Sequence, residues 1–446
     1  MEHPVDSETL DHQQIQVLLE PFGRFGVELG LGRIQRLLRA LDNPQARVPI
    51  VHVAGTNGKG SVCAYLSSVL AAAGYRVGRY TSPHLVSWQE RITVNEAPIG
   101  AADLTRRLRQ VAAAIDPNQP SPTQFEVITA AAWLHFADTE VDLAVMEVGL
   151  GGRLDATNVV DTPLVSVITS LSREHWQRLG PTLADIAREK AGVLKLRRPA
   201  VIGPLPTEAA AVVKARVAEL GCPAVWPVPA VALGDGQARC GSGDEAVTYP
   251  LGLLGDHQLV NSAIAIAVLT SLRRQGWGVS NQAIDQGMGN VRWPGRLQWV
   301  NWNQAAGYPL LIDGAHNPAA AKVLRQYIDR WRMEQGRTAG TEWLMGMLAT
   351  KDHRDVFVAL LQPGDTLHLV PVPGHETAKP KDLEAIARSL YPDLACQTHS
   401  SLRDGLAALD QAPSSLKVLC GSLYLIGHFL ATEPYTDRLQ PVPSSS

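Results

Sequence analysis

Glycines 55, 58 and 60 in the stretch VHVAGTNGKGSVCAYL, Val51 to Leu66, lie between two apolar runs with Lys59 among them. Glycines let backbone N–H groups turn toward one point, the start of a helix adds positive potential, and a lysine adds a mobile ammonium. Together these suit an anion such as a triphosphate tail. The spacing departs from the common G-x-x-x-x-G-K-[ST] loop: Val53 occupies the first glycine position, and Gly60 separates Lys59 from Ser61. The residues alone leave two readings, a nucleotide loop of another lineage or a tight strand-to-helix turn.

Glu147 closes the apolar run DLAVMEVG and opens EVGLGGRLDATN. A carboxylate at the carboxyl end of a strand stands where open α/β sheets bind ligands, and its oxygens suit a hard cation such as Mg²⁺. A surface acid before a glycine turn is the plainer reading. His175 and Lys190 fall in SREHWQRLGPTLADIAREKAG. By themselves they read as a structural histidine and a solvated helix charge. In LLIDGAHNPAAAKVL, Asp313 and His316 lie on a strand-end loop and could reach a ligand across a domain cleft. Asn317 as N-cap and Pro318 at the first helical position account for the same residues as a helix start, and both readings can hold.

These groups need a scaffold that brings strand ends together. Arg47–Ala54, Arg76–Tyr80, Asp142–Gly149 and Pro163–Ser170 read as strands. Ser61–Ala73, closed by Gly74, Gln124–Ala137 and Thr182–Ala191 read as helices. The alternation predicts an α/β fold: an N-terminal doubly wound, P-loop ATPase-type domain with a largely parallel sheet. After the Pro-Gly turn in VRWPGR a second alternation begins, with PLLIDGA, a helix near Ala319–Arg332, WLMGML, TLHLVPV and KVLCGS. It predicts a smaller C-terminal Rossmann-like α/β domain. The expected domains are 1–296 and 297–440, with 441–446 a disordered tail.

The bulk properties narrow the class. The chain has 446 residues, more than one core usually serves. Lys+Arg 40 against Asp+Glu 43 leaves a formal charge of −3 without a long single-sign block, which argues against a nucleic-acid partner. No apolar run approaches the about 18 residues a membrane span needs. Cys63, Cys222, Cys240, Cys396 and Cys420 form no C-x-x-C pair, so neither a disulfide framework nor a cysteine metal site is indicated. The N-terminus, MEHPVDSETLDHQQ, is unlike a targeting peptide. A cytoplasmic protein with no nucleic-acid or membrane partner is expected.

The motifs resemble, in order and over almost the whole chain, the folylpolyglutamate synthase and dihydrofolate synthase family of the Mur-ligase superfamily. The matching stretches are ELGLGRIQRLL, HVAGTNGKGS, GRYTSPHL, EVGLGGRLDATN, EHWQRLGPTLADIAREKAG, HQLVNSA, WPGRLQ, DGAHNP, LMGMLATKD and CGSLYLIG. GTNGKGS is that superfamily's own form of the phosphate loop. The resemblance implies an ATP-dependent ligase that phosphorylates a carboxylate to an acyl phosphate, which the amine of L-glutamate then displaces. The acid is dihydropteroate or a folate γ-glutamyl chain, and the products are an amide, ADP and phosphate. A bifunctional enzyme acting as a monomer is expected.

Carried over by the resemblance, Asn57, Gly58, Lys59, Gly60 and Ser61 cradle the triphosphate, and Asn261, Arg296 and Asp313 contact ATP, the last from the C-terminal domain. Ser82 and Glu147 hold one Mg²⁺. Glu147, His175 and a carbamylated Lys190 hold a second, and a monovalent cation is a further expected cofactor. Two cations suit a step that gathers an ATP tail and a carboxylate, which otherwise repel each other. Lys59, Glu147, His175, Lys190 and His316 form the catalytic set, with His316 toward the glutamate end. Glu28, Leu29, Thr123, Gln124, Phe125, Glu126, Leu154, Asp155 and Ala156 line the pterin side. Glu174 stands where the family usually has aspartate before the metal histidine, a change that bears on how that histidine is held.

Three alternatives remain open at this stage. One is polyglutamylation without dihydrofolate synthesis. Another is a Mur-type peptidoglycan-precursor ligase, against which the SPHL and GLGGRLDATN forms speak. The third is a nucleotide-dependent regulatory protein without ligase chemistry, against which the retained Glu147, His175 and Lys190 speak.

Overall fold

Apolar runs of three to five residues become strands because successive side chains can then be buried on both faces of a covered sheet. In the N-terminal part these are β1 (Ile50–Ala54), β2 (Val77–Tyr80), β3 (Ile92–Val94), β5 (Leu143–Glu147), β6 (Val165–Ile168) and β7 (Ala200–Ile202), joined by the two-residue strands β4 (Ala97–Pro98) and β8 (Ala224–Val225). The computed structural model describes residues 14–23, 30–243, 246–302, 308–337, 339–411 and 415–437. The eight strands form one sheet in the order β4-β3-β2-β5-β1-β6-β7-β8. From β2 to β8 every pairing is parallel, while β3 and β4 add an antiparallel edge.

Helix α1 (Lys59–Ala72) leaves β1 through the glycine loop. It starts two residues before the expected Ser61, because Gly58, at φ +85°, already ends the loop as its N-cap. Every residue from Ser61 to Leu70 is buried, so the body of this helix has no wet face. Helix α2 (Gln124–Asp138) and helix α3 (Leu183–Ala191) follow β4 and β6, each opened by a threonine capping box. Helix α4 (His257–Arg274) carries Gln258 and Asn261. A small antiparallel sheet of β9 (Val231–Gly234), β10 (Gln237–Cys240) and β11 (Val247–Pro250) was not expected from the sequence.

The chain divides into Met1–Gly252 with Gln258–Arg292, and Leu253–His257 with Trp293–Ser446. The second unit therefore begins at Trp293 rather than at the expected 297, and it takes in a segment from ahead of α4. The reason is local packing: Gly255 stands so close to Leu297 that an added Cβ would lie 2.6 Å from its Cδ1, and Asp256 pairs with Arg330.

The second unit is a seven-stranded sheet of β12 (Gln298–Trp302), β13 (Tyr308–Ile312), β14 (Thr341–Met345), β15 (Thr366–Leu369), β16 (Ala395–Thr398), β17 (Leu416–Cys420) and β18 (Tyr435–Asp437). Its order is β16-β15-β14-β17-β13-β12-β18, parallel through β13 and antiparallel at β12 and β18. Helix α5 (Pro318–Glu334) starts as read: Asn317 Oδ1 accepts from Ala320 N at 2.9 Å with Pro318 next to it. The segment expected to be a disordered tail, 441–446, lies outside the described residues.

Candidate active site

Because β5, β1 and β6 are adjacent and parallel, their carboxyl ends open on one edge. The register sets Val53 beside Glu147 and Ala54 beside Ile168. The glycine loop, the Glu147 carboxylate and the hydroxyl-rich segment Thr169–Ser172 thus meet by construction.

Only glycine lets the loop take its path. An added Cβ at Gly55 would stand 2.0 Å from Thr169 Oγ1, and one at Gly58 would stand 2.4 Å from Asn261 Oδ1. Hydroxyl groups then fix the loop. Thr56 N donates to the Ser170 carbonyl at 2.7 Å, and Asn57 N donates to Ser170 Oγ at 3.2 Å. The Thr169 and Ser170 hydroxyls donate to the Asn57 carbonyl at 2.7 and 2.9 Å. On α4, Asn261 Nδ2 donates to Gln258 Oε1 at 3.0 Å, and Gln258 reaches Ser61 Oγ at 3.4 Å.

The charged groups surround this loop. Lys59 Nζ donates to the Thr56 carbonyl at 3.2 Å and lies 3.9 Å from Glu147 Oε1, while Ser82 N donates to Glu147 Oε2 at 3.3 Å. Lys190, only 6% exposed, donates from Nζ to the Gly55 carbonyl at 2.7 Å. Burial, reinforced by the charge of Lys59, pushes its ammonium down to about 7, with Glu174 and Asp155 acting the other way. His175 is more exposed than these buried groups. Its backbone is left-handed at φ +50°, its side chain is 47% exposed, and its Nε2 lies 3.9 Å from Glu174 Oε1.

Ser82 and Glu147 offer hard oxygen donors beside the loop, a set that fits Mg²⁺. Among the described residues no group of three or more His, Cys, Asp or Glu side chains could hold a metal ion. Lys190, whose ammonium donates to the Gly55 carbonyl, offers no oxygen donor in that form.

The expected pterin-side residues divide by environment. Glu28 and Leu29 lie outside the described residues. Thr123 and Glu126 close the capping box of α2, with Thr123 N donating to Glu126 Oε2 at 2.7 Å and Arg33 Nε donating to the same oxygen at 3.0 Å. Gln124 is buried and donates to the Leu19 carbonyl at 3.3 Å. Phe125 packs on Tyr80, ring centroids 6.1 Å apart, and so near Gly149 that an added Cβ would meet its ring at 2.4 Å. Leu154 is half-buried, and Asp155 and Ala156 are buried in the same turn.

In the second unit, Asp313 at the end of β13 accepts from Leu297 N and Ala315 N, each at 2.8 Å. His316 Nδ1–H donates to the Gly314 carbonyl at 2.8 Å. Gly314 allows Arg296 to pass, since an added Cβ would stand 2.3 Å from its Nη1.

Comparison with known proteins decides the lineage. The Mur ligase middle domain matches residues 53–269, and the dihydrofolate synthetase C-terminal domain matches residues 298–432. Folylpolyglutamate synthase of Lacticaseibacillus casei is 38% identical over 410 residues, covering 88% of this chain and 92% of that protein. The chain belongs to the folylpolyglutamate synthase and dihydrofolate synthase family. Dihydrofolate synthase/folylpolyglutamate synthase of Bacillus subtilis is 37% identical over 317 residues, 68% of this chain and 73% of that one. The structure of Mycobacterium tuberculosis folylpolyglutamate synthase complexed with ADP and AMPPCP matches with a TM-score of 0.83 at 28% identity, covering 96% of this chain and 100% of that one. The two-domain α/β architecture is that of this family.

Two features of this family member escaped the motifs. Hydroxyls in TSLS, Thr169–Ser172, hold the loop; a polar run straight after an apolar strand was the available signal. The resemblance assigns Asp313 to ATP; both its oxygens also accept backbone N–H bonds, one of them from Leu297 at φ +40°. Asp313→Asn replaces one acceptor by a donor facing an N–H. It is expected to destabilise the protein by about 1–3 kcal/mol, read as a lowered denaturation midpoint without ATP. An unchanged midpoint would leave ligand contact as its main role.

Proposed function

We propose that this chain is an ATP-dependent ligase that joins L-glutamate to dihydropteroate and to the γ-carboxyl of a reduced folate. The observation that carries the reading is the convergence of Lys59, Ser82, Glu147 and Lys190 on the glycine loop at one sheet edge. A carboxylate is a poor acyl donor because its leaving group would be an oxide. Transfer of the ATP γ-phosphoryl to it gives an acyl phosphate, and the glutamate amine then displaces phosphate.

In this reading the loop Asn57 to Ser61, through its backbone N–H groups from Gly58 onward, and the Lys59 ammonium bind the phosphates, with Asn261 beside them. Ser82 and Glu147 would hold one Mg²⁺, and Glu147, His175 and carbamylated Lys190 a second. Bound there, the ions would offset the repulsion between phosphate and carboxylate. Phe125 and Asp155, which pack around the turn after β5, are assigned to the pterin ring. In the second unit, Arg296, Asp313 and His316 are assigned to ATP and glutamate. The cytoplasm is the proposed location, supported by five free cysteines; among the described residues no helix is long and apolar enough to cross a membrane.

The deciding assay offers ATP, labelled L-glutamate and either dihydropteroate or tetrahydrofolate, and follows label in the product together with ADP. Incorporation with both acids is expected. Incorporation with tetrahydrofolate alone would leave a polyglutamylating enzyme only. ATP turnover with neither acid labelled would overturn the ligase reading.

A further inference from the structure

We propose that His52 is a positioning residue which, through the hydroxyl of Thr157, orients the Asp155 carboxylate at the pterin end of the site. This rests on the reading above, in which Asp155 meets the pteridine.

His52 lies on β1, three residues ahead of Gly55, and is 1% exposed. Its Nε2 is 2.9 Å from Thr157 Oγ1, and that oxygen is 2.6 Å from Asp155 Oδ1. A hydroxyl has one proton. Burial pushes the Asp155 carboxyl up, while the bonds it accepts from Thr157 and Leu150 act the other way. In its ionised form it can only accept, so the Thr157 proton then points at Oδ1, and Thr157 accepts from His52 Nε2–H. The ring is then the neutral Nε2–H tautomer. Its other nitrogen, Nδ1, has no hydrogen-bond partner among the described residues, as suits a bare lone pair. Burial, reinforced by the charge of Lys195, pushes the imidazole down to about 3, so it stays neutral at working pH.

The chain of bonds ends on a carboxylate that organises its surroundings. Asp155 Oδ1 also accepts from Thr157 N at 3.0 Å, and Oδ2 accepts from Leu150 N at 2.8 Å, which closes the turn after β5. Asp155 is near enough to Tyr80 and Lys190 for its charge to act on both. The strand that delivers the phosphate loop therefore also sets the direction of the carboxylate assigned to the pteridine. No other group on β1 reaches that turn by a side-chain bond among the described residues.

Four variants of the full-length protein test this. His52→Leu and Thr157→Val remove the donor and the relay, whereas His52→Gln keeps an N–H near the ε position and Thr157→Ser keeps the hydroxyl. The first pair is expected to raise KM for the pteridine acid about tenfold, the scale of one hydrogen bond to a charged group, with KM for ATP changed less than about twofold. The second pair is expected to stay within about threefold of wild type. If His52→Leu fails to fold, Thr157→Val against Thr157→Ser carries the comparison. Unchanged pteridine KM in a folded Thr157→Val protein, or equal losses from the two pairs, overturns the proposal.

A second readout needs no turnover. Nitrogen NMR of ¹⁵N-histidine protein, assigned by the signal lost in His52→Gln, is expected to show His52 with a protonated Nε2 and bare Nδ1 from about pH 5 to 9. An Nδ1–H tautomer, or titration near the ordinary histidine value, would overturn it. A wild-type protein that ligates no pteridine acid would instead overturn the functional reading and leave the tautomer standing.

Discussion

Lys59→Ala is expected to lower ATP-dependent ligation by a factor of about 10²–10³ while leaving the protein folded. Lys59 opens α1 straight after Gly58, where the peptide dipoles and unpaired N–H groups of the first turn already favour an anion. Its ammonium is held in place by the Thr56 carbonyl and faces Glu147 across the loop. Phosphoryl transfer leaves little covalent chemistry to the protein, so positioning and charge supply most of the acceleration. Loss of a preset cation beside the phosphates is then felt in kcat as well as in KM for ATP. Labelled glutamate incorporation and ADP release measure the loss, and a thermal melt checks the fold. Wild-type turnover from a folded Lys59→Ala protein would remove Lys59 from the phosphate site.

What could be read in the sequence followed physical locality. The strand–loop–helix around Gly55–Ser61 was legible because glycine placement, an apolar run before it and one after it all lie within sixteen residues, Val51 to Leu66. The Asn317–Pro318 start of α5 was legible for the same reason, since a cap acts over three residues. The sheet of β9, β10 and β11 was missed because Val231–Gly234 is exposed throughout and shows no buried face to create a pattern. The capping box Thr123-x-x-Glu126 was also there to be read. The family resemblance gives those two residues to the pterin side; in the structure they bond each other at the helix start, and Glu126 also accepts from Arg33. Contacts such as His52 to Thr157 span 105 positions, and no local pattern announces them.

Lys190→Arg is expected to fold and yet to lose more than about a hundredfold in ligation, despite keeping a positive charge. A lysine in the last turn of a helix is ordinarily solvated, but α3 directs this one inward to the Gly55 carbonyl. Burial and the neighbouring Lys59 bring its amine down to about 7, so near neutrality much of it carries a lone pair. That lone pair can attack CO₂: an N–C bond forms, one proton leaves, and the product is a carbamate with two oxygens and a negative charge. Such a group would supply an oxygen ligand to the second Mg²⁺ proposed beside Glu147 and His175. Arginine stays protonated and cannot form the adduct. The pH dependence follows from the amine: as pH falls below about 7 the ammonium dominates and the adduct is lost, and above it the adduct is retained. ¹³C NMR of protein equilibrated with labelled bicarbonate is expected to show a carbamate signal that fades between about pH 8 and 6 and is absent from Lys190→Arg. Lys190→Ala is expected to be inactive and to recover in part when a short carboxylic acid occupies the vacated anion site. An active Lys190→Arg protein, or an active wild type without the ¹³C signal, would leave Lys190 as a structural amine bound to the phosphate loop.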